Sequence, residues 1–62
     1  MHRRLNIIDC DIEVIESDSF SNMQQLTSLN LSGNEIEFIE ENAFSKLNNL
    51  QTLDLRHNLG VF

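Results

Sequence analysis

Sliding the sequence against itself by 24 residues brings like residues onto like, which restricts the chain to folds that lay one unit beside the next. Leu26, Leu29 and Leu31 fall on Leu50, Leu53 and Leu55, and Leu5 and Ile7 fall on Leu29 and Leu31. Ile12 and Ile15 fall on Ile36 and Ile39, Phe20 on Phe44, Met23 on Leu47 and Asn34 on Asn58. Unrelated amphipathic segments would not keep Leu, Ile, Phe and Asn each in a column of its own. The 62 residues therefore divide into a partial repeat (2–25), a full repeat (26–49) and a truncated repeat (50–62).

Two periodicities alternate within each unit. From Thr27 to Ser32 apolar and polar residues alternate, the period of a strand, and Gly33 and Asn34 then supply turn geometry. Three short parallel strands are expected, centred on 5–7, 29–31 and 53–55. In the run Ile36, Glu37, Phe38, Ile39 the spacing changes, and a strand cannot bury both isoleucines. Phe44 and Leu47 stand three apart after Glu41 and Asn42, which fits one turn of α or 3₁₀ helix over 43–47, with a counterpart over 19–23. A helical hairpin is the competing fold, but leucines two apart at 29/31 and 53/55 would scatter around a helix.

Residues 26 to 36 read Leu-Thr-Ser-Leu-Asn-Leu-Ser-Gly-Asn-Glu-Ile, which fills the pattern L-x-x-L-x-L-x-x-N/C-x-L. With Ile39, Phe44 and Leu47 following, the chain resembles the 24-residue class of leucine-rich repeats with a phenylalanine spine, as in Toll-like receptors and small leucine-rich proteoglycans. The resemblance implies an α/β solenoid fragment with a short parallel sheet on the concave face and helical turns on the convex side. It also implies an extracellular or cell-surface setting, although no signal peptide precedes the repeats in this sequence. The first copy departs from the pattern, with His2 at the opening-leucine position and Cys10 in the asparagine column, where cysteine is an accepted variant. The third copy ends in Leu59, Gly60, Val61 and Phe62, with Gly60 where a branched apolar residue is expected. Cysteine-rich caps are absent from the sequence, as in an internal segment of a larger repeat protein.

The repeated columns have structural work to do. Leu29, Leu31, Leu53 and Leu55 point inward from the strands, and Ile36, Ile39, Phe20, Phe44 and Leu47 close the core around them. A fully buried Leu or Phe contributes about 1.5–3 kcal/mol, against roughly 1–2 kcal/mol per residue for ordering the backbone. Asn34 and Asn58 carry both donors and an acceptor, suited to buried backbone groups at the bend after each strand. Cys10 in that column is expected to be a buried, inert thiol, since Asp9 and Asp11 supply none of the positive charge that activates one. Glu13, Glu16, Glu35, Glu37, Glu40 and Glu41 flank the buried isoleucines and are expected to form a solvated outer face.

Composition removes several functions. One cysteine excludes an intrachain disulfide, and Cys10, His2 and His57 match no metal-site spacing, so no metal is expected. A net charge of −6 argues against nucleic acid and anionic membranes, and no apolar run approaches a membrane span. No phosphate-binding glycine loop, no Cys–His dyad and no enclosed carboxylate pair is present; Glu40 and Glu41 are adjacent and point apart. Neither an enzymatic activity nor a cofactor is expected.

The positions freest to carry function alternate with the strand leucines. They form three columns: Arg4, Ser28 and Thr52; Asn6, Asn30 and Asp54; Ile8, Ser32 and Arg56. Asp9, Gly33 and His57 continue them at the rim. The family resemblance implies that these residues face a protein ligand, making the chain a protein–protein recognition module. A structural or assembly element, or a fragment without function of its own, is the alternative. Asn30-Leu31-Ser32 also fits the N-glycosylation motif. With Leu50, Leu53 and Leu55 left without a following repeat, self-association through the C-terminal end is expected.

Overall fold

Each unit must cover its neighbour's apolar edge, so the chain coils and stacks equivalent segments in parallel. The computed structural model describes residues 3–60. The expectations attached to His2, Val61 and Phe62 lie outside the described residues. Five short strands follow one another: β1 (Arg4–Asn6), β2 (Val14–Ile15), β3 (Ser28–Asn30), β4 (Phe38–Ile39) and β5 (Thr52–Asp54). They form two parallel sheets, one ordered β1-β3-β5 and one pairing β2 with β4.

The register is the sequence repeat in three dimensions. Leu5 sits opposite Leu29 and Leu29 opposite Leu53, each 24 residues on. Pairing outlasts the strands, since Ile7 N donates to Asn30 O and Leu31 N to Asp54 O, both at 2.8 Å. The strands start and stop one residue earlier than leucine spacing predicts, with Leu5, Leu29 and Leu53 at their centres. Leu29, Leu31 and Ile36 are fully buried, and Ile15, Phe20, Leu26, Ala43 and Leu47 complete the core. Ile39, Phe44 and Leu55 pack against it half-buried. The core centres on the middle coil, which alone among the described residues is covered on both sides.

Three expectations are corrected here. The first concerns the helical turns of the α/β reading: the described residues contain no helix. Over 16–23 the amides of Ser19, Ser21 and Met23 bond to the carbonyls of Glu16, Asp18 and Phe20, and over 40–47 those of Ala43, Ser45 and Leu47 bond to Glu40, Asn42 and Phe44. A 3₁₀ helix needs such bonds from consecutive residues; here they come from alternate ones, giving a string of separate β-turns. Serine side chains compete for the same backbone, with Ser19 Oγ accepting from Glu16 N and Ser45 Oγ donating to Asn42 O. Asn42 has φ 63°, the positive value that a type II turn requires at its third residue and that a right-handed helix forbids.

The second correction is the sheet made by β2 and β4, where spacing assigned no strand. The strand there is only two residues long. Ile36 lies before it, so one strand never has to bury both isoleucines.

The third concerns Cys10, expected buried but exposed, its Sγ 3.3 Å from Ile8 O. Burial in this column comes from the preceding coil, and no described residue packs on that side.

One further column of the repeat is defined by backbone rather than side chain. Asp9, Gly33 and His57 all have positive φ, at 55°, 70° and 61°. Glycine adopts this conformation freely, whereas a side chain there costs roughly 1–2 kcal/mol, less for Asp. His57→Gly is therefore expected to stabilise the chain by about 0.5–1 kcal/mol. Gly33→Ala is expected to destabilise it by at least a similar amount, because the added Cβ also meets the Asp9 carboxylate. Urea midpoints of the two variants moving in the same direction would contradict this assignment.

Candidate binding face

Alternation along β1, β3 and β5 turns the leucines inward and leaves Arg4, Asn6, Ser28, Asn30, Thr52 and Asp54 on the open side of the sheet. Pairing sets Arg4 beside Ser28 and Ser28 beside Thr52, and Asn6 beside Asn30 and Asn30 beside Asp54. Ile8, Ser32 and Arg56 follow two residues beyond, where Ile8 and Arg56 are exposed. His57 is exposed at the rim, in the left-handed turn.

Two of these residues have a local duty that the sequence reading missed. Asn30 Oδ1 accepts from Ser32 N, and Asp54 Oδ1 accepts from Arg56 N, each at 3.0 Å. Both are Asx turns, and the signal was available: Asn or Asp as the residue at which the chain leaves the strand. Asp54 also takes the Arg56 guanidinium in a two-point contact, Nε to Oδ1 at 3.0 Å and Nη2 to Oδ2 at 2.8 Å. This fixes a paired positive and negative group at one corner of the face.

The Arg56 contact holds the Asp54 carboxyl below its ordinary value, first through the side-chain hydrogen bond and then through the backbone one. A lowered folded pKa means that the pair's contribution is present above the ordinary aspartate pKa, about 3.9, and is lost as pH falls through the folded value. Arg56→Ala is expected to move the Asp54 titration back up towards the ordinary range. Carboxyl-detected NMR follows it directly; an unmoved titration would mean the pair is absent in solution.

Behind the face, the asparagines do the bonding expected of them. Asn34 is 5% exposed. Its Oδ1 accepts from Cys10 N at 2.8 Å and Ile12 N at 3.2 Å, and its Nδ2 donates to Ile7 O at 2.7 Å and Leu31 O at 2.9 Å. Asn58 repeats the pattern one coil on, with Oδ1 accepting from Ile36 N and Nδ2 donating to Leu31 O and Leu55 O. On the far side of the core, Phe20 and Phe44 stack with ring centroids 5.9 Å apart. Strand register, asparagine ladder and phenylalanine stack thus all repeat at one spacing.

The leucine rich repeat family model matches residues 3–59. This chain belongs to the leucine-rich repeat family. Leucine-rich repeats generally serve as protein–protein interaction modules and are typically not enzymes. No curated protein matches the chain, and neither does any solved structure.

The remaining side chains of this leucine-rich repeat offer little for chemistry. Among the described residues no group of three or more His, Cys, Asp and Glu side chains is placed to hold a metal ion, and no helix is long and apolar enough to cross a membrane. Beside the first residues of the strands lies an open hollow lined by Arg3, Gln25, Thr27, Asn48, Asn49, Leu50 and Gln51, in which Thr27 Oγ1 donates to Arg3 O at 3.0 Å. The acidic outer residues are mostly exposed, as expected, but Glu40 is half-buried and its Oε1 accepts from Ser17 N at 2.9 Å, tying the first coil to the second.

Proposed function

We propose that the open face of the three-stranded sheet is a protein-recognition surface formed by Arg4, Asn6, Ile8, Ser28, Asn30, Ser32, Thr52, Asp54, Arg56 and His57. The observation that carries this reading is the contrast between columns. Core columns mostly hold the same or a similar apolar residue from coil to coil, as in Leu5, Leu29 and Leu53, whereas the face columns change in size and charge, as in Arg4, Ser28 and Thr52. Three strands cover roughly a third of the ~800 Å² that one partner contributes to a standard interface, so the contact is small if these coils act alone. A photo-crosslinking amino acid at Thr52 tests the reading against the same group at Lys46, which is exposed and outside both sheets. One protein crosslinked from Thr52, absent from Lys46 and lost on Arg56→Glu, is the expected result. Equal capture from both positions would refute it.

A second reading, assembly through the C-terminal end, rests on a specific observation. Leu53 is 38% exposed although its column-mate Leu29 is 1% exposed, and Leu50 and Leu55 are only half covered. The outer edge of β5 also presents unpaired backbone groups, a template for another strand. Two such ends meeting about a two-fold axis give a closed dimer, whereas head-to-tail stacking gives open chains. Sedimentation across a concentration series is expected to show a dimer that Leu53→Glu dissociates. A folded species that stays monomeric at high micromolar concentration would end this reading.

A further inference from the structure

The second sheet carries an apolar ridge that neither the core nor the open face of the first sheet uses. Val14 on β2 and Phe38 on β4 are direct partners in the parallel pairing, and they are 46% and 58% exposed. Their strand neighbours Ile15 and Ile39 pack inward. An exposed phenylalanine beside an exposed valine, at the roughly 4.8 Å spacing of paired strands, makes a continuous apolar strip along the stack.

Charge says what fits this strip. Eight of the ten acidic residues lie in segments 11–18 and 35–41, which contain β2 and β4 and hold no Lys or Arg. Glu37 N donates to Glu13 O at 2.9 Å, so the two glutamates sit on adjacent coils next to the ridge residues. Like charges so placed repel, and the single ion pair among the described residues, Asp54–Arg56, lies on the other sheet. A cationic partner relieves that repulsion. A second copy of this chain, an anionic membrane or a nucleic acid would add to it.

We propose that the Val14–Phe38 ridge docks a basic segment of a partner protein that places apolar side chains on the ridge and Lys or Arg beside its glutamates. Apolar contact holds the segment, and charge sets the encounter rate and selects against acidic segments. This surface is separate from the open face of the first sheet, so one partner can occupy each.

The test uses the full chain and a synthetic peptide of alternating lysine and leucine with one tryptophan, a fluorophore that the chain itself lacks. Phe38→Ser is expected to weaken peptide binding about tenfold, the usual loss for an aromatic anchor. Glu13→Gln with Glu37→Gln is expected to weaken it and to flatten its salt dependence. Gln24→Ala, at an exposed uncharged position outside both sheets, is expected to leave it unchanged. Circular dichroism confirms that each variant is folded, which exposure of Phe38 and both glutamates makes the expected outcome. Equal binding of a lysine–serine peptide, or affinity indifferent to Phe38→Ser, overturns the proposal by reducing the site to unspecific charge. So does wild-type self-association that Phe38→Ser abolishes, because the ridge would then belong to a second copy.

Discussion

Replacing Asn34 with alanine is expected to remove most of the chain's stability. The asparagine satisfies two amides and two carbonyls at distances from 2.7 to 3.2 Å, from a site that is 5% exposed. Alanine leaves those backbone groups in place and removes the asparagine partner of three of them, while Leu31 O keeps Asn58 Nδ2; each buried group left unsatisfied costs about 1–3 kcal/mol. Even if water recovers one of the three, the loss is about 2–6 kcal/mol. A chain of this length holds roughly 3–9 kcal/mol at 0.05–0.15 kcal/mol per residue, so most of its stability disappears. Asn58→Ala is expected to cost less, since Asn58 is half-buried and solvent can replace part of what it supplies. Urea titrations of the two variants settle the order; a milder effect at Asn34 than at Asn58 would show that the ladder is not closed in solution.

The second large effect is expected at Leu29. Leu29→Ala removes a side chain at 1% exposure and should cost about 2–5 kcal/mol, the range for emptying a packed site. The same change at Leu53, at the same point of the repeat, should cost only about 1 kcal/mol, because that side chain is already partly in water. Glu37→Ala should stay within about 0.5 kcal/mol, as exposed positions do. The comparison of Leu29 with Leu53 is the sharper one. Both leucines are the central residues of paired strands, so a difference reports chiefly burial. Equal losses at the two leucines would mean that something covers the outer side of β5.

The columns explain which parts of this architecture were legible in the sequence. A residue type kept at one spacing announces its role, so strand leucines, ladder asparagines and the phenylalanine stack could all be placed before any coordinates. What failed was information carried by conformation. Phe44 and Leu47 stand three apart in a helical turn and in successive β-turns alike; only the alternate bonding and the positive φ of Asn42 separate the two. The sheet of β2 and β4 is two residues deep, too short for any periodicity to register. Cys10 was misjudged because its column is buried only where a coil precedes it. On the open face, Asn30 and Asp54 read as free polar residues, although each is partly committed to the turn that follows.

The asparagine ladder also has a direction. Asn34 reaches back to Ile7, Cys10 and Ile12 on the coil before it, and Asn58 reaches back to Leu31 and Ile36. Each asparagine also binds a carbonyl of its own coil, Leu31 O or Leu55 O, but the partners that finish the earlier coil's bend arrive only with the next one. On a ribosome the first coil therefore waits, its bend unsatisfied, until 22 to 27 further residues have emerged. At about 5–20 residues per second that wait is about one to five seconds. Folding then trails synthesis by one repeat, and throughout elongation the newest coil is the one open to rescue by chaperones or attack by proteases.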